Sequence, residues 1–189
     1  ATPFYLFHPE APRRIEAIGI KPRLIIILRC PRERAWSHYR HERRKGREPL
    51  SFEGALSAEG ERLQHTTNKI LNANHLRSLK QYSYLARGRY LPQISRYIEI
   101  FGRESILLTS LDALRNDPIA TLKRCCNFLG VRSPKNPNID IYNSGGESVM
   151  PEPVDPDIFR RAFIEDLQGL QALLPEASLW LENIQLTER

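Results

Sequence analysis

The stretch 23-RLIIILRCPRERAWSHYRHERRKGR-47 decides the fold. Residues 24–28, LIIIL, are an unbroken run of Leu and Ile, the mark of a strand buried on both faces. Arg29 follows at once. Pro31 suits the first turn of a helix, which is read to about Lys45 and ended by Gly46. Between residues 29 and 47 stand eight Lys or Arg against two Glu. The rest of the chain carries 20 of each sign, so the whole net charge of +6 sits in this segment. A basic patch this local points to a specific anion site, not to a generally adhesive surface.

Length and composition set the frame around it. A chain of 189 residues is read as one domain, 1–189, large enough to bury a core. Its 26% charged and 41% hydrophobic residues are ordinary for a soluble globular protein. No apolar run approaches the roughly 20 residues of a membrane helix. The start, ATPFYLFHPEAP, has neither the basic nor the apolar region of a signal peptide. Cys30, Cys125 and Cys126 give no disulfide framework or metal-ligand spacing, and no metal is expected. They suit a reducing cytoplasm, where the protein is expected.

Outward from the quoted stretch, strands and helices alternate. Residues 12–18 read as a short helix with Gly19 beyond it, and 52–64 as a helix capped by Ser51. Residues 69–86 are ambiguous, since the spacing of Ile70, Leu71, Leu76 and Leu79 breaks near Tyr82–Tyr84. A helix over 90–101 ends at Gly102, and a second buried strand is read at 106–110. Asp117-Pro118 and Asp155-Pro156 each open a helix, the first stopping at Gly130. The second carries an apolar stripe of Phe159, Phe163, Leu167, Leu170 and Leu174. This order predicts an α/β fold with a parallel sheet. Two buried parallel strands do not make a stable sheet alone. Either further strands lie in segments such as Pro3–Phe7, or the chain lacks part of its domain; the second reading is preferred.

The chemistry follows from position. Ligands of open α/β sheets bind beyond the carboxyl ends of the strands, where Arg29 stands. A guanidinium there can grip a phosphate through two parallel N–H bonds, and the next helix N-terminus adds positive partial charge. Ser37 and His41 are four residues apart and share a helix face. Ser37 can give the phosphate a hydrogen bond, and His41 can donate or move a proton at a neighbouring atom. The residues alone leave a solvated basic helix as open as an anion site, and they favour a structural histidine over a catalytic one. Trp36, Tyr39 and the Tyr82–Tyr84–Tyr90 cluster read as packing, and Asp112, Asp117, Asp155 and Asp157 as caps and turn formers. His8, His65 and His75 lack metal spacing.

As a whole, LRCPRERAWSHYRHE resembles the 3′-phosphate signature of sulfotransferases that use 3′-phosphoadenosine 5′-phosphosulfate (PAPS). The nearest branch is the heparan-sulfate type with its bacterial relatives, whose form is L-R-N-P-x-x-R-A-x-S-x-Y. The resemblance continues in TPFYLFHPEAPRRI, SFEGAL, SYLARGRYLPQISRYIEIFG and DPIATLKRCCNFLGV, in the expected order over nearly the whole chain. It implies a P-loop-NTPase-like fold with a central parallel sheet flanked by helices. It also implies transfer of a sulfuryl group from PAPS to an acceptor hydroxyl or amine, with no metal. By the same resemblance Arg29 and Ser37 hold the 3′-phosphate, and His41 acts at the transfer site. Arg87, Gly88 and Tyr90 belong to a motif near the nucleotide, and the Ile141–Pro151 loop closes over it. The acceptor stays open among sugars, lipids and carrier-tethered chains.

Three departures stand against the family pattern. The Gly-, Thr- and Lys-bearing loop for the 5′-phosphosulfate and the catalytic glutamate of a Lys-Glu pair are not in these 189 residues. The chain is therefore read as the C-terminal two-thirds of the domain, N-terminally incomplete and not competent for transfer by itself. The covering loop, YNSGGESVMP, lacks the usual Lys or Arg, and Cys30 stands where the family has Asn. Two other readings remain: a non-catalytic sulfotransferase-like remnant, and a basic nucleic-acid-binding module. The second has no recognised nucleic-acid motif behind it, so no nucleic-acid partner is expected.

Overall fold

The structure, a computed structural model, describes residues 4–64, 73–138 and 154–185. The chain opens with helices α1 (Phe4–Phe7) and α2 (Ala11–Glu16), strand β1 (Leu24–Leu28), then helices α3 (Pro31–Arg44), α4 (Phe52–Gln64), α5 (Ala73–Tyr82) and α6 (Tyr90–Phe101). Strand β2 (Ile106–Ser110) and helices α7 (Leu111–Asn116), α8 (Pro118–Leu129), α9 (Pro156–Leu170) and α10 (Ala177–Gln185) follow. The described residues form two compact units. One takes those within 1–7, 30–93 and 150–189, the other those within 8–29 and 94–149.

Both strands lie in the second unit and pair in parallel, from Leu24 opposite Ile106 to Leu28 opposite Ser110. The expected α/β arrangement and both strand boundaries are found. β2 is the buried strand, with Ile106, Leu108, Thr109 and Ser110 all inside. β1 is not enclosed on both faces as its sequence suggests: Leu28 is buried, but Ile27 is 49% exposed. Among the described residues β1 has a neighbouring strand, β2, along one edge. α7 and α8 pack on β2, and Arg124 of α8 donates to the Leu108 carbonyl at 2.9 Å. Both helices are capped as their sequences dictate. Ser110 Oγ accepts from the Ala113 amide, and the Asp117 carboxylate from the Ala120 amide at 2.8 Å. Gly130 ends α8 at φ 72°, a left-handed geometry that glycine adopts without strain.

The first unit is helical. Phe159, Phe163, Leu167, Leu170 and Leu174 are each 2% exposed or less, so the whole stripe read from the sequence is core. Ala177, Trp180, Leu181 and Ile184 of α10 close over α9. Residues 4–7, a candidate extra strand, are instead a turn of helix. That turn sets the Phe4 and Phe7 rings three residues apart, at 5.2 and 5.5 Å from the Arg87 guanidinium carbon. Of the ambiguous region 69–86, residues 69–72 lie outside the described residues, and the part that follows opens with α5. Its last carbonyls are taken by Arg87 (Leu79 and Lys80, 3.0 Å each), His38 (Lys80, 3.0 Å) and Ser83 Oγ (Leu79).

Candidate functional site

α3 is amphipathic in the expected register. Pro31, Ala35, Tyr39 and Glu42 face inward. Trp36 stacks on Tyr39 at 5.5 Å and meets Phe52 edge-on at 5.0 Å, while the Tyr39 hydroxyl donates to the Leu50 carbonyl. The aromatic residues of this helix are therefore packing, as read. The opposite face exposes Ser37, His41, Arg44 and Lys45. Ser37 and His41 thus share a solvent-facing stripe in the first unit. Arg29, half-buried directly beyond β1, belongs to the second unit. Cys30 precedes the helix without a side-chain cap, in keeping with its weakness beside Asn in that role.

The two histidines of α3 have opposite surroundings. His38 is enclosed; its Nε2 donates to the Lys80 carbonyl, and burial, then the charges of Arg87 and Arg34, push its pKa down to about 2. It is a neutral structural group. The His41 side chain is 47% exposed, and its Nε2 lies 3.9 Å from Glu42 Oε1. Partial burial, then Lys45, Arg44 and Arg47, hold its pKa below the usual histidine value, while Glu42 pulls the other way. Near pH 7 its imidazole is therefore mainly a proton acceptor. Glu42 is itself buried and paired with Arg47 at 2.7 Å. Sequence reasoning passed it over, although Glu33 and Glu42 are the two acids of the basic segment.

Arg87, Gly88 and Tyr90 are drawn inward. The Arg87 guanidinium closes the end of α5 and lies against Phe4 and Phe7; burial, then Arg34, lowers its pKa to about 10. A Cβ on Gly88 would meet the Phe163 ring at 2.8 Å and Pro31 Cβ at 3.2 Å. Tyr90 is 3% exposed, and its amide donates to Asp166 of α9 at 2.8 Å. Arg34 donates to the carbonyls of Ser83 and Tyr84. These contacts hold the motif in shape; the side chain it leaves exposed is Arg89. The Ile141–Pro151 loop lies outside the described residues.

Two further buried carboxylates went unread. Glu48 accepts from Arg62 at 2.6 and 3.2 Å, from Tyr84 Oη at 2.8 Å and from the Leu50 amide at 3.0 Å. Burial pushes its pKa up, but these hydrogen bonds outweigh burial and hold it below the ordinary value. Glu59 accepts from the amides of Leu85 and Ala86, and there burial wins and the pKa is raised. No His, Cys, Asp and Glu group with metal-binding geometry occurs among the described residues. No described helix is long and apolar enough to cross a membrane. In the second unit a cleft of about 460 Å³ opens beside Lys21, Pro22, Phe101 and Gly102, at the amino ends of both strands. Arg29 stands at the opposite, carboxyl end of β1, so this cleft is not the candidate anion site.

Comparison with known proteins bears on the same segment. Residues 11–144 match the family described as "Sulfotransferase domain". A mouse bifunctional heparan sulfate N-deacetylase/N-sulfotransferase 1 is 30% identical over 134 residues, 68% of this chain and 14% of that protein. A human bifunctional heparan sulfate N-deacetylase/N-sulfotransferase 3 is 32% identical over 131 residues, 67% of this chain and again 14% of the relative. The crystal structure of a sulfotransferase from Alicyclobacillus acidocaldarius superposes with a TM-score of 0.71 at 32% identity, covering 90% of this chain and 61% of that one. The chain thus spans about one-seventh of the curated relatives' length and less than two-thirds of the solved structure's.

Proposed function

This chain belongs to the sulfotransferase family, and from that premise we propose that its protein transfers a sulfuryl group from PAPS to a hydroxyl or amine of an acceptor. The observation that carries the reading is the solvent-facing pairing of Ser37 with His41 on α3, inside the matched segment. Arg29 and Ser37 are assigned to the 3′-phosphate, on their match to the family signature. The acceptor oxygen or nitrogen attacks sulfur, the bond from sulfur to the 5′-phosphate oxygen breaks, and the acceptor proton leaves to a base. Sulfated acceptor and 3′-phosphoadenosine 5′-phosphate are the products. His41, uncharged near neutrality, suits the proton-accepting role. Positive groups at the leaving phosphate stabilise the charge that develops there. The relatives' names favour a carbohydrate acceptor over a lipid or a carrier-tethered chain.

Calorimetry with 3′-phosphoadenosine 5′-phosphate on the full-length protein, with duplex DNA as competitor, tests the donor assignment. Transfer of labelled sulfate from PAPS to amino-sugar polysaccharides tests the acceptor. Nucleotide binding undisturbed by DNA supports the reading. No nucleotide binding, or displacement by DNA, overturns it in favour of a remnant or a nucleic-acid module respectively.

A further inference from the structure

Glu59 of α4 and Asp166 of α9 hold the two ends of one short backbone segment. Glu59 accepts from two consecutive amides, Leu85 at 2.5 Å and Ala86 at 2.7 Å. Asp166 accepts from another consecutive pair, Tyr90 at 2.8 Å and Leu91 at 3.0 Å. Between them, the Gln93 carboxamide donates to the carbonyls of Ala86, Arg87 and Arg89 at 3.4, 3.1 and 2.5 Å. Inside the segment, the Gly88 amide bonds to the Leu85 carbonyl and the Arg89 amide to that of Ala86. A short exposed turn needs none of this, because water satisfies its amides. Here carboxylates serve instead, Glu59 buried and Asp166 half-buried, and burial raises both their pKa values despite the amides they bind. Burying charge is costly, so the segment is fixed at the expense of stability.

Arg89 is what this frame presents. Arg87 is turned into the protein, Gly88 abuts Phe163, and the Tyr90 ring is buried. Arg89 is exposed, and its Nε donates to the Ala162 carbonyl at 3.1 Å, which fixes the arm along α9. We propose that Glu59 and Asp166 are positioning residues that hold the Leu85–Leu91 segment rigid and so aim the Arg89 guanidinium at the donor nucleotide. This rests on the reading of the segment as nucleotide-facing. Its physical content is preorganisation: a side chain fixed in advance loses less freedom when the ligand binds.

A double-mutant cycle tests it, read as affinity for 3′-phosphoadenosine 5′-phosphate in the full-length protein. Arg89→Ala should weaken binding roughly 10- to 100-fold, the range for a charged hydrogen bond. Glu59→Gln keeps one acceptor but turns an N–H₂ toward the second amide, and should weaken binding about tenfold. In the Arg89→Ala background, Glu59→Gln should add less than about threefold, because the group it aims is gone. Asp166→Asn replaces Glu59→Gln if that variant does not fold. Leu174→Ala, which lowers stability in the same unit away from the segment, should leave the affinity of folded protein unchanged. Wild-type binding with a neutral Arg89→Ala, or with fully additive effects, overturns this inference alone. A wild-type protein that binds no nucleotide overturns the donor assignment, and this inference with it.

Discussion

Gly88 and Phe163 are in such close contact that the position tolerates no side chain. A Cβ built on Gly88 falls 2.8 Å from Phe163 Cε1 and 2.9 Å from Cζ, and Phe163 is fully buried. The ring cannot retreat, because Phe159 stacks near it at 6.2 Å and the rest of the α9 stripe is closed over it. Gly88→Ala should therefore destabilise by about 1–3 kcal/mol, the cost of overpacking a filled core. Urea denaturation measures it. Adding Phe163→Leu should recover part of the loss, and an Ala at 88 without cost would show that the ring moves freely.

The Glu48–Arg62 pair gives a second expectation, with a sign that can be checked against pH. Glu48 is 1% exposed and its folded pKa is depressed, so its stabilisation is present above the unfolded value of about 4.3 and is lost as pH falls through the folded one. Glu48→Gln should cost about 3 kcal/mol at pH 7, the lower end for breaking a buried pair, because Arg62 keeps 22% of its side chain in water. Below about pH 4 the gap between variant and wild type should narrow. Glu59 has the opposite sign: its raised pKa makes the ionised form a burden at neutral pH, relieved as pH falls. Urea melts of wild type and Glu48→Gln at pH 7 and pH 3.5 separate the cases. A constant gap would mean that Glu48 is not ionised in the fold.

What the sequence disclosed, and what it hid, divides by range. The strands at 24–28 and 106–110 announce themselves because five consecutive residues carry the signal, and Asp117-Pro118 and Asp155-Pro156 are caps written in adjacent letters. α10 was legible in the same way, in the spacing of Ala177, Trp180, Leu181 and Ile184, and was passed over. The carboxylates are different. Glu48 meets Tyr84, Glu59 meets Leu85, and Asp166 meets Tyr90, partners 26 to 76 residues away. Nothing local distinguishes these three from the other acids of the chain. The R-G-R-Y motif shows the same limit: its resemblance marks the place, but only packing reveals that Arg87 turns inward while Arg89 stays exposed.

At the proposed donor site, the two assigned residues should differ in energetic weight. Arg29→Ala removes a charged, two-pronged contact and should cost about 2–5 kcal/mol in affinity for 3′-phosphoadenosine 5′-phosphate. Ser37→Ala removes a neutral hydrogen bond from an exposed helix position and should cost about 0.5–1.5 kcal/mol. Isothermal calorimetry reads both. Two neutral outcomes would place the 3′-phosphate elsewhere.

His41 carries the last expectation, which separates binding from turnover. If its imidazole accepts the acceptor's proton, His41→Ala should lower kcat by about 10²–10⁴-fold while leaving nucleotide affinity near wild type. The active form is the uncharged one, so kcat should rise with pH through the His41 pKa and then level off. That pKa lies below the ordinary value of about 6.5, since partial burial and the charges of Lys45, Arg44 and Arg47 disfavour the imidazolium. The acidic limb should accordingly fall below pH 6.5 and vanish in His41→Ala. Glu42 opposes these charges from 3.9 Å. Glu42→Gln removes the one carboxylate that favours the imidazolium, so the limb should move to still lower pH. A purely structural Glu42 would change stability and leave the limb where it was. A limb that survives in His41→Ala would assign the proton to another group.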